Sequence, residues 1–239
     1  AASAAFYGDL MGWTASEPGP EEETGGYRMF EQDGKAVAGL MALTEEGQPT
    51  AWSTYITVAD ADETAGKVAA AGGSVVVPPM DVMDIGRMAF FADPTGAVFG
   101  IWQPKTFAGA DVVNEPNSLG WNEVVTRDTA AAKDFYLSVF PWTAGTPGFE
   151  GAPESYVVWE VGDAPVGGMM EMTDDVFPPE VPPHWAVTFV VADCDATVAR
   201  ARELGATITV EPMDMAIGRF AGIMDPQGAP FMVMQLADG

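Results

Sequence analysis

Residues Pro79–Gln103 read PMDVMDIGRMAFFADPTGAVFGIWQ, and residues Pro212–Gln235 read PMDMAIGRFAGIMDPQGAPFMVMQ. With one gap opposite Asp84, 13 of the 24 aligned pairs are identical. The shared residues are Pro, Met, Asp, the run Ile-Gly-Arg, Ala, the pair Asp-Pro, the pair Gly-Ala, Phe and Gln. Repetition at this level sets the architecture before any single residue is interpreted, because each copy must fold as the same supersecondary unit.

The repeat extends upstream. Trp52 and Val58-Ala59-Asp60 match Trp185 and Val191-Ala192-Asp193. Earlier still, Phe6-Tyr7 with Trp13-Thr14-Ala15 match Phe135-Tyr136 with Trp142-Thr143-Ala144. The whole chain therefore reads as a tandem duplication, with one small domain over 1–104, a linker over 105–118 and a second domain over 119–239.

Composition bounds what such a chain does. Apolar residues make up 48% and charged residues 19% of the 239, which reads as globular. Ten basic residues face 35 acidic ones, for a net charge of −25. A surface this acidic repels phosphate backbones and anionic lipid, so neither nucleic acid nor membrane is an expected partner. No apolar run is long enough to span a bilayer, and the start does not read as a signal peptide. Cys194 is the sole cysteine, which excludes an internal disulfide and fits a cytoplasmic location.

Along the chain, residues 1–12 read as a helix with Phe6, Leu10 and Met11 on one face. Its counterpart over 129–140 carries a cap signal at Asp128 and follows a strand-like run, Trp121–Thr126. No strand precedes the first helix in this sequence, so the first copy lacks its opening strand here; the expectation is either a longer native N-terminus or another segment standing in its place. Residues 16–26 read as a loop. Strands follow over 27–30 and 35–43 around Gln32-Asp33-Gly34, a hairpin signal. Residues 52–58 read as a strand, and 60–71 as a helix opened by Asp60 or Asp62 and closed at Gly72-Gly73. Val75–Val77 reads as a strand broken by Pro78-Pro79. Residues 87–91 and 98–102 read as a hairpin across Asp93-Pro94-Thr95-Gly96. Residues 185–236 repeat that order, and 173–183 (TDDVFPPEVPP) is a Pro-rich connection. The fold class is α+β: four β-α-β-β-β units, two per copy, the first without its opening strand.

These features together resemble the vicinal oxygen chelate superfamily of glyoxalase I, bleomycin-resistance proteins and extradiol dioxygenases. Phe-Tyr then Trp after the first helix, Asp-Xaa-Asp opening the second, Gly at its end and Asp-Pro-Xaa-Gly before the last strand carry the likeness. It covers nearly the entire chain and is nearest to the two-domain actinobacterial glyoxalase-like, hydroxylase-like type. The resemblance implies that two units pair to form a half-barrel cleft. In the metal enzymes of the family, the first and last strand of each unit put one ligand each into it. Those places fall near Asn122, at Glu171, near His184–Ala186 and near Met232 in copy two, and at Ala42, Trp52 or Ser53, and Gly100 in copy one. Asn122 is a feeble ligand, and Met232 is none for a hard or borderline cation. No metal or other cofactor is therefore expected. Glu171 and His184 are the weak metal candidates that keep a divalent ion in domain 2 as the minority reading.

The side chains singled out for function are few. Glu171, in the apolar run GMMEMT, and Glu123, beside Asn122, are the catalytic candidates, provided that the strand register turns them inward. Trp52, Trp102, Trp185 and Met232 are candidates to line an apolar pocket. Arg87 and Arg219 follow Ile-Gly in both copies; they are either ligand-recognising groups or partners of Asp81 and Asp214. No nucleophile–base arrangement, phosphate loop or dinucleotide fingerprint is present. The expected function is metal-independent binding of a small apolar or aromatic molecule, of the sequestration or resistance type, with the working cleft in copy two. The alternative is a glyoxalase-type lyase or isomerase, or a hydroxylase-like enzyme, using the cleft of domain 2. Monomer and homodimer both stay open.

Overall fold

The structure is a computed structural model that describes residues 1–43, 47–148 and 151–237. Copy one runs α1 (Ala2–Met11), β1 (Thr14–Ala15), a short α2 (Glu21–Thr24), β2 (Arg28–Gln32) and β3 (Lys35–Leu40). It continues with β4 (Tyr55–Thr57), α3 (Ala61–Ala70), β5 (Ser74–Val82), β6 (Gly86–Ala92) and β7 (Val98–Pro104). Copy two runs β8 (Ser118–Thr126), α4 (Thr129–Val139), β9 (Thr143–Gly145), β10 (Val157–Val161) and β11 (Ala164–Glu171). Then come β12 (His184–Val190), α5 (Cys194–Glu203), β13 (Thr207–Met215), β14 (Gly218–Met224) and β15 (Pro230–Leu236). The α+β class and the repeated strand–helix–three-strand order are those the sequence implies.

Local chemistry accounts for most boundaries. The side chains of Asp60, Asp128 and Asp193 accept hydrogen bonds from the amides of Glu63, Ala131 and Ala196, satisfying one otherwise orphan donor at the start of α3, α4 and α5. Asp33 and Gly34 take φ of 52° and 75°, the left-handed pair that a two-residue hairpin between β2 and β3 requires. Three details differ from the sequence reading. Residues 21–24 form the short α2 inside the stretch read as loop. The strand expected over 52–58 is only β4. The strand expected to end at Pro78-Pro79 runs through both prolines as β5. Register shifts between Val75 and Val77 and between Val77 and Met80 absorb them. Because β5 is an edge strand, a missing N–H there removes no central ladder bond.

Long-range pairing interleaves the two copies. The chain divides into two compact units: residues 1–52, 109–120 and 188–239 form unit 1, and residues 53–108 with 121–187 form unit 2. Each unit thus takes one β-α-β-β-β module from each sequence copy, so the repeat boundaries at 104 and 119 mark sequence copies and not these units.

In unit 2, the copy-one module forms a sheet in the order β4-β7-β6-β5, and β8, β11, β10 and β9 follow one another in the copy-two sheet. Helices α3 and α4 pack together, and one core fills the space beneath both sheets: Phe91, Phe99, Ile101, Val124, Phe135, Tyr136, Trp159, Met169 and Trp185. In unit 1, α1 packs on α5, and Tyr7, Trp13, Phe30, Trp52, Phe189 and Phe231 form an aromatic cluster with centroid spacings from 4.9 to 6.1 Å. Linker residues take part in unit 1. The Asp111 amide donates to the Ala36 carbonyl on β3 at 2.7 Å, and the Asn117 amide donates to the Val190 carbonyl at the end of β12 at 2.7 Å. The linker thus hydrogen-bonds with both modules of that unit.

Two of the sequence motifs lock the modules together. In unit 1 the Tyr7 hydroxyl donates to Asp225 Oδ2 at 2.9 Å and accepts from Trp52 Nε1 at 2.9 Å. In unit 2 the Tyr136 hydroxyl donates to Asp93 Oδ2 at 2.9 Å and accepts from Trp185 Nε1 at 2.9 Å. The aspartates come from the Asp-Pro-Xaa-Gly turns, and their Oδ1 atoms accept from Gln227 and Ala229 amides or from Thr95 and Ala97 amides. So the Phe-Tyr motif of one copy is bonded to the Asp-Pro turn of the other. Burial and the adjacent carboxylate push both tyrosine hydroxyls well above their usual range, so they stay protonated donors.

Candidate functional site

The two faces of the unit 2 sheets have different chemistry. On the copy-one sheet, Ile56, Ala89, Phe91, Phe99 and Ile101 turn into the core. Alternation turns Tyr55, Met88, Phe90, Val98 and Trp102 to the other face. The register places Tyr55 beside Gly100 and Gly100 beside Phe90, while Trp102 sits beside Thr57 and Met88. Tyr55 and Phe90 meet edge to face at 5.2 Å, and Tyr55 remains 45% exposed.

Glycines flatten this face. A Cβ on Gly100 would stand 2.7 Å from the Tyr55 ring, and one on Gly86 would collide with the Trp102 indole. The Trp102 ring is held down over Gly86 by donating from Nε1 to the Phe107 carbonyl at 2.9 Å. On the copy-two sheet a Cβ on Gly168 would collide with the Tyr156 hydroxyl. Three rings of unit 2 are therefore laid over glycines of neighbouring strands.

Glu123 is a charged group on this side. In β8 it pairs with Gly168 of β11, whereas Val124 pairs with Met169 and joins the core. Its Oε2 accepts from the Tyr156 hydroxyl at 2.8 Å, and that hydroxyl accepts from Trp121 Nε1 at 2.8 Å. Burial pushes the Glu123 carboxyl above the ordinary glutamate range, with the Tyr156 hydrogen bond opposing it. Burial, and then the neighbouring Glu123 charge, push the Tyr156 hydroxyl up in turn, so tyrosine is the donor and glutamate the acceptor. Arg127, directly after β8, donates to the Val181 and Pro178 carbonyls at 2.9 Å each and so ties the Pro-rich connection back to the end of β8.

The other side chains singled out from the sequence lie elsewhere. Glu171 is exposed at the end of β11, and its register partner is Thr126, so it shares the face of Val124 and Met169 and not that of Glu123. The two carboxylates are not brought together. His184 accepts or donates through Nδ1 at the Pro182 carbonyl, 2.9 Å away, and its ring packs against Phe177. Trp52 and Trp185 are committed to the tyrosine locks. Met232 lies on β15 in unit 1 beside Thr188 and Gly222. Arg87 is bracketed by Asp62 at 3.0 Å and Asp81 at 3.1 Å, and Arg219 by Asp195 at 2.7 Å and Asp214 at 2.8 Å. Of the pocket-lining candidates, Trp102 stands on the face that carries Tyr55 and Phe90.

Sequence reasoning missed Tyr55, Phe90, Tyr156 and Gly168. A signal for the last two was present: tyrosine is followed twelve residues later by glycine in both copies, as Tyr27 with Gly39 and Tyr156 with Gly168. A Cβ on Gly39 would likewise collide with the Tyr27 hydroxyl. The family resemblance implies that the faces opposite the core line the half-barrel cleft. The last-strand place in the copy-one module is Gly100, Glu123 is engaged by Tyr156, and no group of three or more His, Cys, Asp or Glu side chains among the described residues is placed to hold a metal.

The family model described as Glyoxalase/Bleomycin resistance protein/Dioxygenase superfamily matches residues 1–101 and 118–233. The chain is 43% identical over 256 residues to the anthracycline biosynthesis protein DnrV of Streptomyces peucetius, an alignment that covers 100% of this chain and 90% of that one. Among solved structures it is similar to an Mn(II)-bound glyoxalase from Novosphingobium aromaticivorans, with a TM-score of 0.61 at 16% identity over 99% of this chain and 79% of that one. It is also similar to the 2,3-dioxygenase LapB from Pseudomonas sp. KL28, with a TM-score of 0.63 at 13% identity over 99% and 88%. At those identities the two structures speak to the fold alone. With its repeat, its tyrosine locks and two matched segments that take in most of its length, the chain belongs to the glyoxalase, bleomycin-resistance and dioxygenase superfamily.

Proposed function

We propose that the protein binds a small, flat, aromatic molecule in unit 2 without a metal ion. The observation that carries this reading is the set of three rings, Tyr55, Trp102 and Tyr156, laid over Gly100, Gly86 and Gly168. Ring-on-glycine packing makes a smooth, wide surface, and aromatic faces bind flat partners by stacking and by removing apolar area from water. Small-molecule sites elsewhere share this make-up, an apolar lining with few polar anchors. The similarity to a protein named for anthracycline biosynthesis supports a small-molecule role.

The test is calorimetric titration of 2-methoxynaphthalene into protein treated with a strong chelator. Binding with about one site per chain is expected, unchanged by added zinc or manganese. Phe90→Ala should weaken it about tenfold, in keeping with about 1–3 kcal/mol for a stacked ring. Binding that appears only after metal is restored would defeat the metal-independent reading. A second reading, catalysis at the same place, is favoured by one observation: a carboxyl held above its ordinary range beside an apolar surface is what a general base requires. Turnover of a bound aromatic substrate that is lost in Glu123→Gln would turn the binder into an enzyme.

A further inference from the structure

The hydrogen bonds around Glu123 all run one way. Trp121 Nε1 donates to the Tyr156 hydroxyl, and that hydroxyl donates to Glu123 Oε2, each at 2.8 Å. An indole N–H is a donor only, so it fixes the direction of the chain. Having accepted from Trp121, the tyrosine oxygen has its proton committed to the glutamate. Glu123 Oε1 forms no hydrogen bond among the described residues, and it is not among the sealed, unpartnered atoms of the interior. The group left to meet a ligand is therefore an acceptor, and no donor stands beside it in this cluster.

From this polarity we infer that Glu123 Oε1 recognises a hydrogen-bond donor on the bound aromatic molecule, either a ring hydroxyl or an ammonium group, and that the site discriminates against carboxylates. The inference rests on the aromatic-binding reading above. Three observations support it independently of that reading. The Trp121–Tyr156 pair orients the carboxyl, so its free oxygen has a defined direction. Gly168 leaves the room that the Tyr156 hydroxyl needs, since any side chain there would displace it. The chain carries a net charge of −25, which raises the local concentration of cations and lowers that of anions. A donor lacking from the ligand would leave Glu123 Oε1 without a partner, and sites built to bond a donor discriminate strongly against analogues without one.

Four probes with one ring system separate the possibilities: 2-naphthol, 2-naphthylmethylammonium, 2-methoxynaphthalene and 2-naphthoate. Titration into the full chain should give naphthol or naphthylmethylammonium, or both, about tenfold or more tighter than the methyl ether, as expected for a bond to a charged acceptor. The naphthoate should be the weakest. Whichever donor leads identifies the source of the shared chemistry. Glu123→Gln should cost the leading donor about tenfold and leave the ether within about twofold. The wild-type ranking needs no variant, so a Gln variant that failed to fold would not shield the idea. Equal affinity of ether and both donors would overturn the inference and leave aromatic binding standing. An equal loss for all probes in Glu123→Gln would overturn it too. Failure of every probe to bind would overturn both.

Discussion

Unit 1 and unit 2 share a lock and differ in what they display. Tyr7 with Asp225 and Trp52 repeats Tyr136 with Asp93 and Trp185 in partners, direction and distance. The open faces diverge. Where unit 2 has Tyr55 beside Gly100 beside Phe90, unit 1 has Thr188 beside Met232 beside Gly222. The large and small positions are exchanged, so the same backbone row presents two rings around a floor in one unit and a single flexible thioether in the other. Tyr27 stands over Gly39 as Tyr156 stands over Gly168, but burial alone raises the Tyr27 hydroxyl, whereas Glu123 contributes at Tyr156. The residues that hold each unit together match between the copies, and those of the open row differ.

The locks give the largest expected effects. Asp93→Ala and Asp225→Ala should each destabilise by about 3 kcal/mol or more, because each removes a buried acceptor of several hydrogen bonds and leaves the donors unpaired. Urea denaturation of the two variants measures this. Costs that differ by more than about 1 kcal/mol would show the locks to be unequal, within the additivity such comparisons allow. Tyr136→Phe should cost about 1–3 kcal/mol by orphaning Trp185 Nε1 and Asp93.

Gly168→Ala and Gly39→Ala sharpen the contrast between the faces. Each added methyl collides with a tyrosine hydroxyl, so each should cost about 1–3 kcal/mol of stability. Only Gly168→Ala should also weaken 2-naphthol binding. Matching losses of binding in both variants would mean that the ligand face is not confined to unit 2.

Glu123→Gln tests the electrostatics. A carboxyl whose folded pKa lies above its unfolded value contributes stability below the unfolded value, and loses that contribution as pH rises through the folded one. At neutral pH the ionised, buried Glu123 is therefore a liability, and Gln, which keeps an acceptor for Tyr156, removes it. Melting temperatures should favour the variant near pH 7, and the advantage should vanish as pH falls below the ordinary glutamate range. A variant less stable than wild type at pH 7 would show that the Tyr156 bond outweighs the burial.

The smallest effects belong to Glu171→Ala and to Ala42→Glu, both exposed positions outside the aromatic face. Each should shift stability by less than about 0.5 kcal/mol and leave probe binding alone. A tenfold change in binding from Glu171→Ala would return the carboxylate of β11 to the site.

The start of α3 at Asp60 or Asp62, the helix cap at Asp128, the Asp33-Gly34 hairpin turn and the Asp-Pro-Xaa-Gly turns were legible in the chain, because each is a local interaction among residues a few positions apart, and the repeat was legible by direct comparison of the two copies. The four-unit α+β fold followed from their order. Pairing was not legible. Nothing near Phe6-Tyr7 in sequence says that its hydroxyl partner is Asp225, since that contact spans 218 residues. The face on which a carboxylate falls was equally hidden. Strand side chains alternate, so Glu123 and Glu171 are equivalent candidates until the β8–β11 register sets Gly168 beside one and Thr126 beside the other. The sequence determined which elements form. Only the tertiary structure, through register and long-range packing, decided which modules complete each other and which carboxylate turns away from the core.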